Sequence, residues 1–267
     1  MKIAYYIKKS SLKEDSRIAE VVRGLEERGA QLRCLASPEE LDPSADMLLS
    51  FGGDGTFLSA AVAAHRCGVP VLGINLGRMG FLAGAGLAGL AGLPEHILAR
   101  EYRIEERQML CASGHFALNE VSFCRVGAYT VGVDVEIDGN ALPTYWADGL
   151  LVATTSGSTA YNLSVGGPIC MPGSRVFVIS PIAPHNLGVR PLVIPDSSKV
   201  RLTVKSRCGK AVFSCDNRVT EVADGFSVDV SLADKPLKCV TMGDSSFIDA
   251  LRNRFFWGQD VRNTTEQ

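Results

Sequence analysis

The stretch LLSFGGDGTFLSAA, residues 48–61, decides how this chain reads. A short apolar run enters a turn in which three glycines surround one aspartate, and the turn opens onto a helical spacing of apolar residues. Glycine permits positive φ and lets bare backbone approach a ligand. The amides that begin a helix form an anion site. Asp54 or Thr56 could simply cap the helix, but a cap does not need glycine on both sides of the aspartate. The sequence contains no G-x-x-x-x-G-K-[ST], so the lysine of a P-loop is missing. A carboxylate stands where phosphate charge would be expected.

Working outward, the first hundred residues alternate strand and helix patterns. KIAYYI (2–7) is an apolar strand. Ser16 to Arg28 spaces Ile18, Val21, Val22 and Leu25 by three and four, an amphipathic helix closed by Gly29. QLRCL (31–35), DMLLSF (46–51) and VPVLGIN (69–75) are further strands, with a helix from Thr56 to Cys67 stopped by Gly68. Repeated β-α-β order predicts a parallel sheet covered by helices. The GGDGT turn then falls at the carboxyl ends of the strands, the ligand edge of such a sheet.

Beyond about residue 100 the pattern changes. VGVDVEIDG and KVRLTVKS alternate with a period of two, as half-buried antiparallel strands do. YRIEERQMLCA, HFALNEVSFCRV, SRVFVIS, KAVFSCD, FSVDVSL and LKCVTM are similar, with Asp138-Gly139 and Asp224-Gly225 as turn signals. The expected architecture is an α/β domain with a parallel sheet at 1–100, then an all-β, sandwich-like domain at 101–243. A helical segment at 244–267, with Phe247, Leu251 and Phe255 on one face, is expected to pack back on the first domain.

Composition narrows the function. The 267 residues are 46% hydrophobic, enough for a real core. Twenty-seven basic residues against 29 acidic ones predict no nucleic-acid or membrane partner. No run approaches the roughly 18 apolar residues of a membrane helix, and charge returns too early after MKIAYYI for a signal peptide. A cytoplasmic location is the default expectation. None of the eight cysteines forms a C-x-x-C pair, and the four histidines lack metal-ligand spacing. Cys239, in LKCVTM, reads as a small core hydrophobe. No resident metal site is expected.

Two polar constellations stand in the β region. Asn119-Glu120 interrupts FALNEVSF, where alternation lets at most one of the pair face inward. In DGLLVATTSGSTAYNLSVGGP (148–168) an apolar run delivers a dense set of hydroxyls. Neutral hydroxyls and amides suit sugar hydroxyls and base edges. A third string, GAGLAG at 84–89, is a literal G-x-G-x-x-G. It follows no β-rich run and lies outside the first β-α unit, where a dinucleotide fingerprint belongs. It reads as a Gly/Ala connector before a short helix.

GGDGTFL, GRMGFL (77–82), the Asn119-Glu120 pair, DGLLVATTSGSTAYNLSVGGP and SPIAPHNLGVRPLVIP (180–195) together resemble the NAD kinase family, in that family's order. The resemblance implies phosphoryl transfer from ATP, or in some members polyphosphate, to the 2′-hydroxyl of the adenosine ribose of NAD, giving NADP. A ribose hydroxyl is a poor nucleophile, and a carboxylate within hydrogen-bond reach can take its proton; Asp54 matches the family's base. Mg²⁺ is expected to arrive with ATP.

By the same carry-over, Asp54 and Gly55 line the NAD site and Phe81 packs near the adenine. Asn119 and Glu120 hold the adenosine ribose and base, and Asp148 holds the nicotinamide side. Ser156, Thr159, Ala160 and Tyr161 line the ring pockets, Asn162, Leu163 and Ser164 continue that wall, and Ala183 closes it. His185 reads as a turn histidine. NAD and ATP are then the substrates, and a homodimer or homotetramer is implied.

The chain departs from the family pattern at three places. Ser59 stands where many members carry a basic residue, Trp146 where an arginine or histidine often stands, and Asp216-Asn217-Arg218 in place of DGQ. Arg78, Arg190 and Arg218 are candidates for neutralising phosphate charge. The competing readings are a lipid or sphingoid kinase sharing the GGDG turn, and a non-catalytic NAD(P)-binding sensor.

Overall fold

A computed structural model describes residues 1–77, 82–86, 89–243 and 247–255. The chain divides into two compact units, Met1–Glu105 joined by the segment from Lys238, and Glu106–Leu237.

The first unit is built on a six-stranded sheet. Its order is Gln31–Leu35, Lys2–Ile7, Met47–Phe51, Val71–Ile74, Leu237–Thr241, Arg103–Arg107. The first four strands run parallel, as β-α-β order requires. Helix Ser16–Glu27 starts where the Asp15 carboxylate accepts from the Arg17 amide at 3.0 Å. It buries Ile18, Val21 and Leu25 against Leu49, Phe51 and Leu72. Helix Asp54–Cys67 follows Met47–Phe51 directly and ends at Gly68, whose φ is +70°. Helix Phe247–Phe255 groups with this unit; the rest of the expected 244–267 segment, residues 244–246 and 256–267, lies outside the described residues.

Two strands expected in the all-β region belong here instead. Arg103–Arg107 and Leu237–Thr241 extend the first sheet, the latter parallel to Val71–Ile74 with Cys239 opposite Val71. Strand periodicity reports which face a side chain takes and says nothing of the partner strand. The same junction involves Gly84, the first glycine of the GAGLAG string, of which residues 87 and 88 lie outside the described residues. The Gly84 carbonyl accepts from the Met242 amide at 3.1 Å, and a Cβ on Gly84 would lie 2.1 Å from the Val240 carbonyl oxygen. That glycine serves backbone contact inside the sheet.

The second unit is a sandwich of two antiparallel sheets. One is centred on Val131–Ile137, Val200–Ser206 and Ser227–Leu232. The other runs Leu192–Pro195, Val176–Ile182, Gly149–Ala153, Glu120–Arg125, Lys210–Cys215, Arg218–Ala223. Alternate residues from both sheets, among them Val121, Phe123, Val133, Leu150, Phe177 and Leu202, form one buried core. Asp138 and Gly139 take φ of +50° and +80°, the left-handed pair that a tight hairpin needs. All eight cysteines are free thiols, and Cys239 is buried in the first sheet. No described helix is long and apolar enough to cross a membrane.

Candidate active site

Both units carry expected site residues. In the first, the strand Met47–Phe51 is fully buried, so its end fixes where the glycine turn begins. Gly52 has φ of +147°, and a Cβ there would lie 2.5 Å from Thr56 Oγ1. Only glycine fits. Gly53 is the N-cap, so Asp54 is the first residue of the helix, half-buried beside the exposed Gly55. A carboxylate there is favoured by the helix dipole. Ser59 Oγ donates to the Gly55 carbonyl at 3.1 Å and receives the Lys8 ammonium at 3.0 Å. The departure at Ser59 therefore coincides with a cation brought in from the end of the first strand. Phe81 and Arg78 lie outside the described residues.

In the second unit, alternation along Glu120–Arg125 sends Val121 and Phe123 into the core. Glu120, Ser122 and Cys124 therefore take the opposite face of the sheet. Cys124 there packs against Leu151, Ala153 and Ile182 from the neighbouring strands. Asn119 is buried just before the strand. Asn119 Oδ1 and Glu120 Oε2 are both shielded from solvent with no hydrogen-bond partner among the described residues. Two adjacent buried acceptors without donors are costly unless a ligand supplies them.

Burial, and then the nearby Asp216 charge, push the Glu120 carboxyl up to about 7. Asp216 in turn accepts backbone N–H bonds from Leu118 (2.9 Å), Asn119 (2.8 Å) and Glu120 (3.2 Å). Burial raises the Asp216 carboxyl, while the three amides and Arg218 pull it back.

The hydroxyl-rich loop divides its labour. Thr154 Oγ1 donates to the Leu118 carbonyl at 2.5 Å and accepts from the Gly157 amide at 3.0 Å. Ser158 Oγ donates to Thr155 O at 2.7 Å and accepts from the Cys170 amide at 3.0 Å. Asn162 is fully buried. Its Nδ2 donates to the Ser158 and Pro168 carbonyls and its Oδ1 accepts from Ser180 Oγ at 2.7 Å. These side chains frame the loop. Ser156, Thr159, Ala160 and Leu163 are half-buried and Tyr161 and Ser164 are exposed, which leaves them at a surface.

The loop lies close on the Asn119-Glu120 turn: a Cβ on Gly157 would sit 2.0 Å from the Asn119 carbonyl oxygen. Partial burial raises the Tyr161 phenol, helped by the charges of Cys124, Asp148 and Glu120.

Asp148 pairs with Arg125 at 2.6 Å. Ala183 is exposed with φ of +46°, immediately after the strand Val176–Ile182. His185 is exposed and its backbone amide donates to the Trp146 carbonyl at 2.8 Å. Trp146 lies over Gly132 and carries the Arg207 guanidinium 5.5 Å from its ring centre. Arg190 donates to the Leu187 and Val189 carbonyls, and Arg218 to that of Phe116. No cluster of three or more His, Cys, Asp or Glu suited to a metal occurs among the described residues.

The tether role of Asp216 and the framing role of Asn162 were not legible in the sequence. The only signal for the first was the Asp-Asn-Arg triplet itself, 96 residues from Glu120.

Comparison with known proteins agrees across both units. Residues 8–102 match the ATP-NAD kinase N-terminal domain and residues 118–242 the ATP-NAD kinase C-terminal domain. An NAD kinase of Flavobacterium psychrophilum is 38% identical over 239 residues, covering 85% of this chain and 81% of its own. One from Bacteroides fragilis is 37% identical over 289 aligned positions, 98% of this chain and 100% of its own. The crystal structure of an Archaeoglobus fulgidus NAD kinase in complex with ATP superimposes with a TM-score of 0.79 at 27% identity, covering 96% of this chain and 98% of that one. Yeast NADH kinase complexed with NADH shares the fold, with a TM-score of 0.85 at 24% identity over 98% and 90% of the two chains.

Proposed function

The chain belongs to the NAD kinase family, and from that premise we propose that Asp54 is the base for phosphorylation of NAD by ATP. The reaction makes NADP. The ribose 2′-oxygen attacks the γ-phosphorus of ATP, the new O–P bond forms as the bond to the ADP oxygen breaks, and the hydroxyl proton passes to Asp54. The exposed Gly53 and Gly55, with open space where a Cβ would stand, leave room for a sugar to approach that carboxylate.

The second unit binds the rest of NAD in this reading. The observation that carries it is the pair of buried acceptors, Asn119 Oδ1 and Glu120 Oε2, with no partner among the described residues. Ribose hydroxyls or an adenine amino group supply the missing donors. Asp148, Ser156, Thr159, Ala160, Tyr161, Leu163, Ser164 and Ala183 line the dinucleotide, whereas Asn162 acts through the loop it braces. On the donor side, the Lys8 ammonium on Ser59 supports a role in neutralising triphosphate charge. A divalent ion held by the phosphate oxygens would spread that charge further. Leu192 and Val193, exposed on an edge strand, support self-association as a homodimer or homotetramer, which light scattering would measure.

The test is NADP⁺ formation from NAD⁺ with ATP and Mg²⁺, run beside a diacylglycerol control. NADP⁺ with an unchanged lipid is expected. Lipid phosphorylation without NADP⁺ would overturn the reading, and NAD⁺ binding without turnover would leave only a sensor.

A further inference from the structure

We propose that Asp216 is a positioning residue for the acceptor site, holding the Leu118–Glu120 backbone so that Asn119 and Glu120 present their side chains to NAD. The inference rests on the NAD-binding reading of those two residues. One carboxylate takes three consecutive amides, two on Oδ1 and one on Oδ2. The link is reciprocal, since the Asp216 amide donates to the Glu120 carbonyl at 2.9 Å. Asp216 takes φ of +51° as the first residue of the two-residue turn between Lys210–Cys215 and Arg218–Ala223. Ser214 Oγ donates to the Asp216 carbonyl at 2.7 Å, which fixes the turn from its other side.

The need for such a tether follows from the strand order. Glu120–Arg125 lies between Gly149–Ala153 and Lys210–Cys215, and its ladder with the latter begins at Val121 opposite Cys215. Leu118, Asn119 and Glu120 precede that ladder. Their amides would otherwise be buried donors without acceptors. On the other side, the Thr154 amide and hydroxyl take the Asn119 and Leu118 carbonyls. The turn is therefore clamped on both edges, by amide acceptance from Asp216 and carbonyl capture from Thr154.

Asp216 also sets the electrostatic setting of Glu120. The charged and titratable groups around Glu120 are Asp216 and Tyr161, with Arg218 acting on Asp216, and Asp148 and Cys124 sharing the field at Tyr161. Replacing Asp216 by asparagine keeps the volume, removes the negative charge and turns an amide donor toward at least one backbone N–H. Positioning and the Glu120 ionisation should then change together, which a purely structural role would not produce.

The experiment compares wild type with Asp216→Asn, measuring NAD⁺ affinity by calorimetry from pH 5.5 to 9, KM for ATP, and amide hydrogen exchange at residues 118–120. Wild-type binding and turnover test the NAD kinase reading alone. Given those, the expected result for the variant is a loss of NAD⁺ affinity of about tenfold or more, the scale of one lost charge-assisted hydrogen bond. KM for ATP should stay within a factor of about two, and the Glu120-linked midpoint should move to lower pH. Unchanged NAD⁺ affinity with an unchanged midpoint overturns the proposal. So does an equal loss of NAD⁺ and ATP binding with the midpoint fixed. If Asp216→Asn does not fold, wild-type exchange decides: slow exchange at the three amides supports the tether, and fast exchange overturns it.

Discussion

Replacing Glu120 by glutamine should make the ligand-free protein more resistant to unfolding at alkaline pH than the wild type. The carboxyl is raised from 4.5 to about 7 by burial and by Asp216. Between those values the folded state keeps a proton that the unfolded chain releases. Stability from this group is therefore fully present below about pH 4.5 and is lost as pH rises through about 7. At about 1.4 kcal/mol per pH unit, the cost above neutrality is about 3 kcal/mol. Glutamine keeps the shape and cannot ionise. In urea unfolding at pH 5 and pH 8.5, the wild type should lose about 2.5 kcal/mol more between the two conditions than Glu120→Gln. Titrating groups that do not interact with Glu120 affect both proteins alike and cancel in that comparison. Parallel pH dependences for the two proteins would refute the assignment of a strained, proton-holding carboxyl at this position.

Further expectations follow from the clamps around the same turn. Gly157→Ala drives a Cβ to 2.0 Å from the Asn119 carbonyl oxygen; overpacking of this kind costs about 1–3 kcal/mol, read as a lower Tm together with weaker NAD⁺ binding. Ser180→Ala strips the hydroxyl from the buried Asn162 Oδ1, a loss of about 1–3 kcal/mol that thermal unfolding would register. Lys8→Ala removes the ammonium on Ser59, and steady-state kinetics should show KM for ATP raised several-fold with KM for NAD⁺ unchanged.

Much of the fold is written in local patterns. The strand at 31–35 and the end of the helix at Cys67 coincide with the expected bounds because alternation, helical spacing and a stopping glycine act over a few residues. The glycine turn around Asp54 is local in the same way: Gly53 caps the helix that Asp54 begins, and Gly52 holds a positive φ at the strand end. Sheet membership is not. Leu237–Thr241 carries an alternation that any half-buried strand would show, and its partner Val71–Ile74 is remote in sequence.

The polar loop shows the same limit at finer grain. Thr154, Ser158 and Asn162 look in sequence like their neighbours Ser156 and Thr159. Only burial separates the side chains that brace the loop from those left at its surface. Asp216 lies furthest from view, because three amides meeting one carboxylate is a long-range event with no periodicity of its own.

The most direct test lies at Asp54. Turnover and NAD⁺ binding should be measured together for wild type and Asp54→Asn, with thermal unfolding as the control for folding. Loss of the general base predicts kcat lower by about 10²–10⁴-fold, with NAD⁺ still bound and Tm little changed. Near-normal turnover in the variant, or collapse of the fold in place of the rate, would contradict a proton-accepting role and leave the aspartate a structural residue in the first turn of its helix.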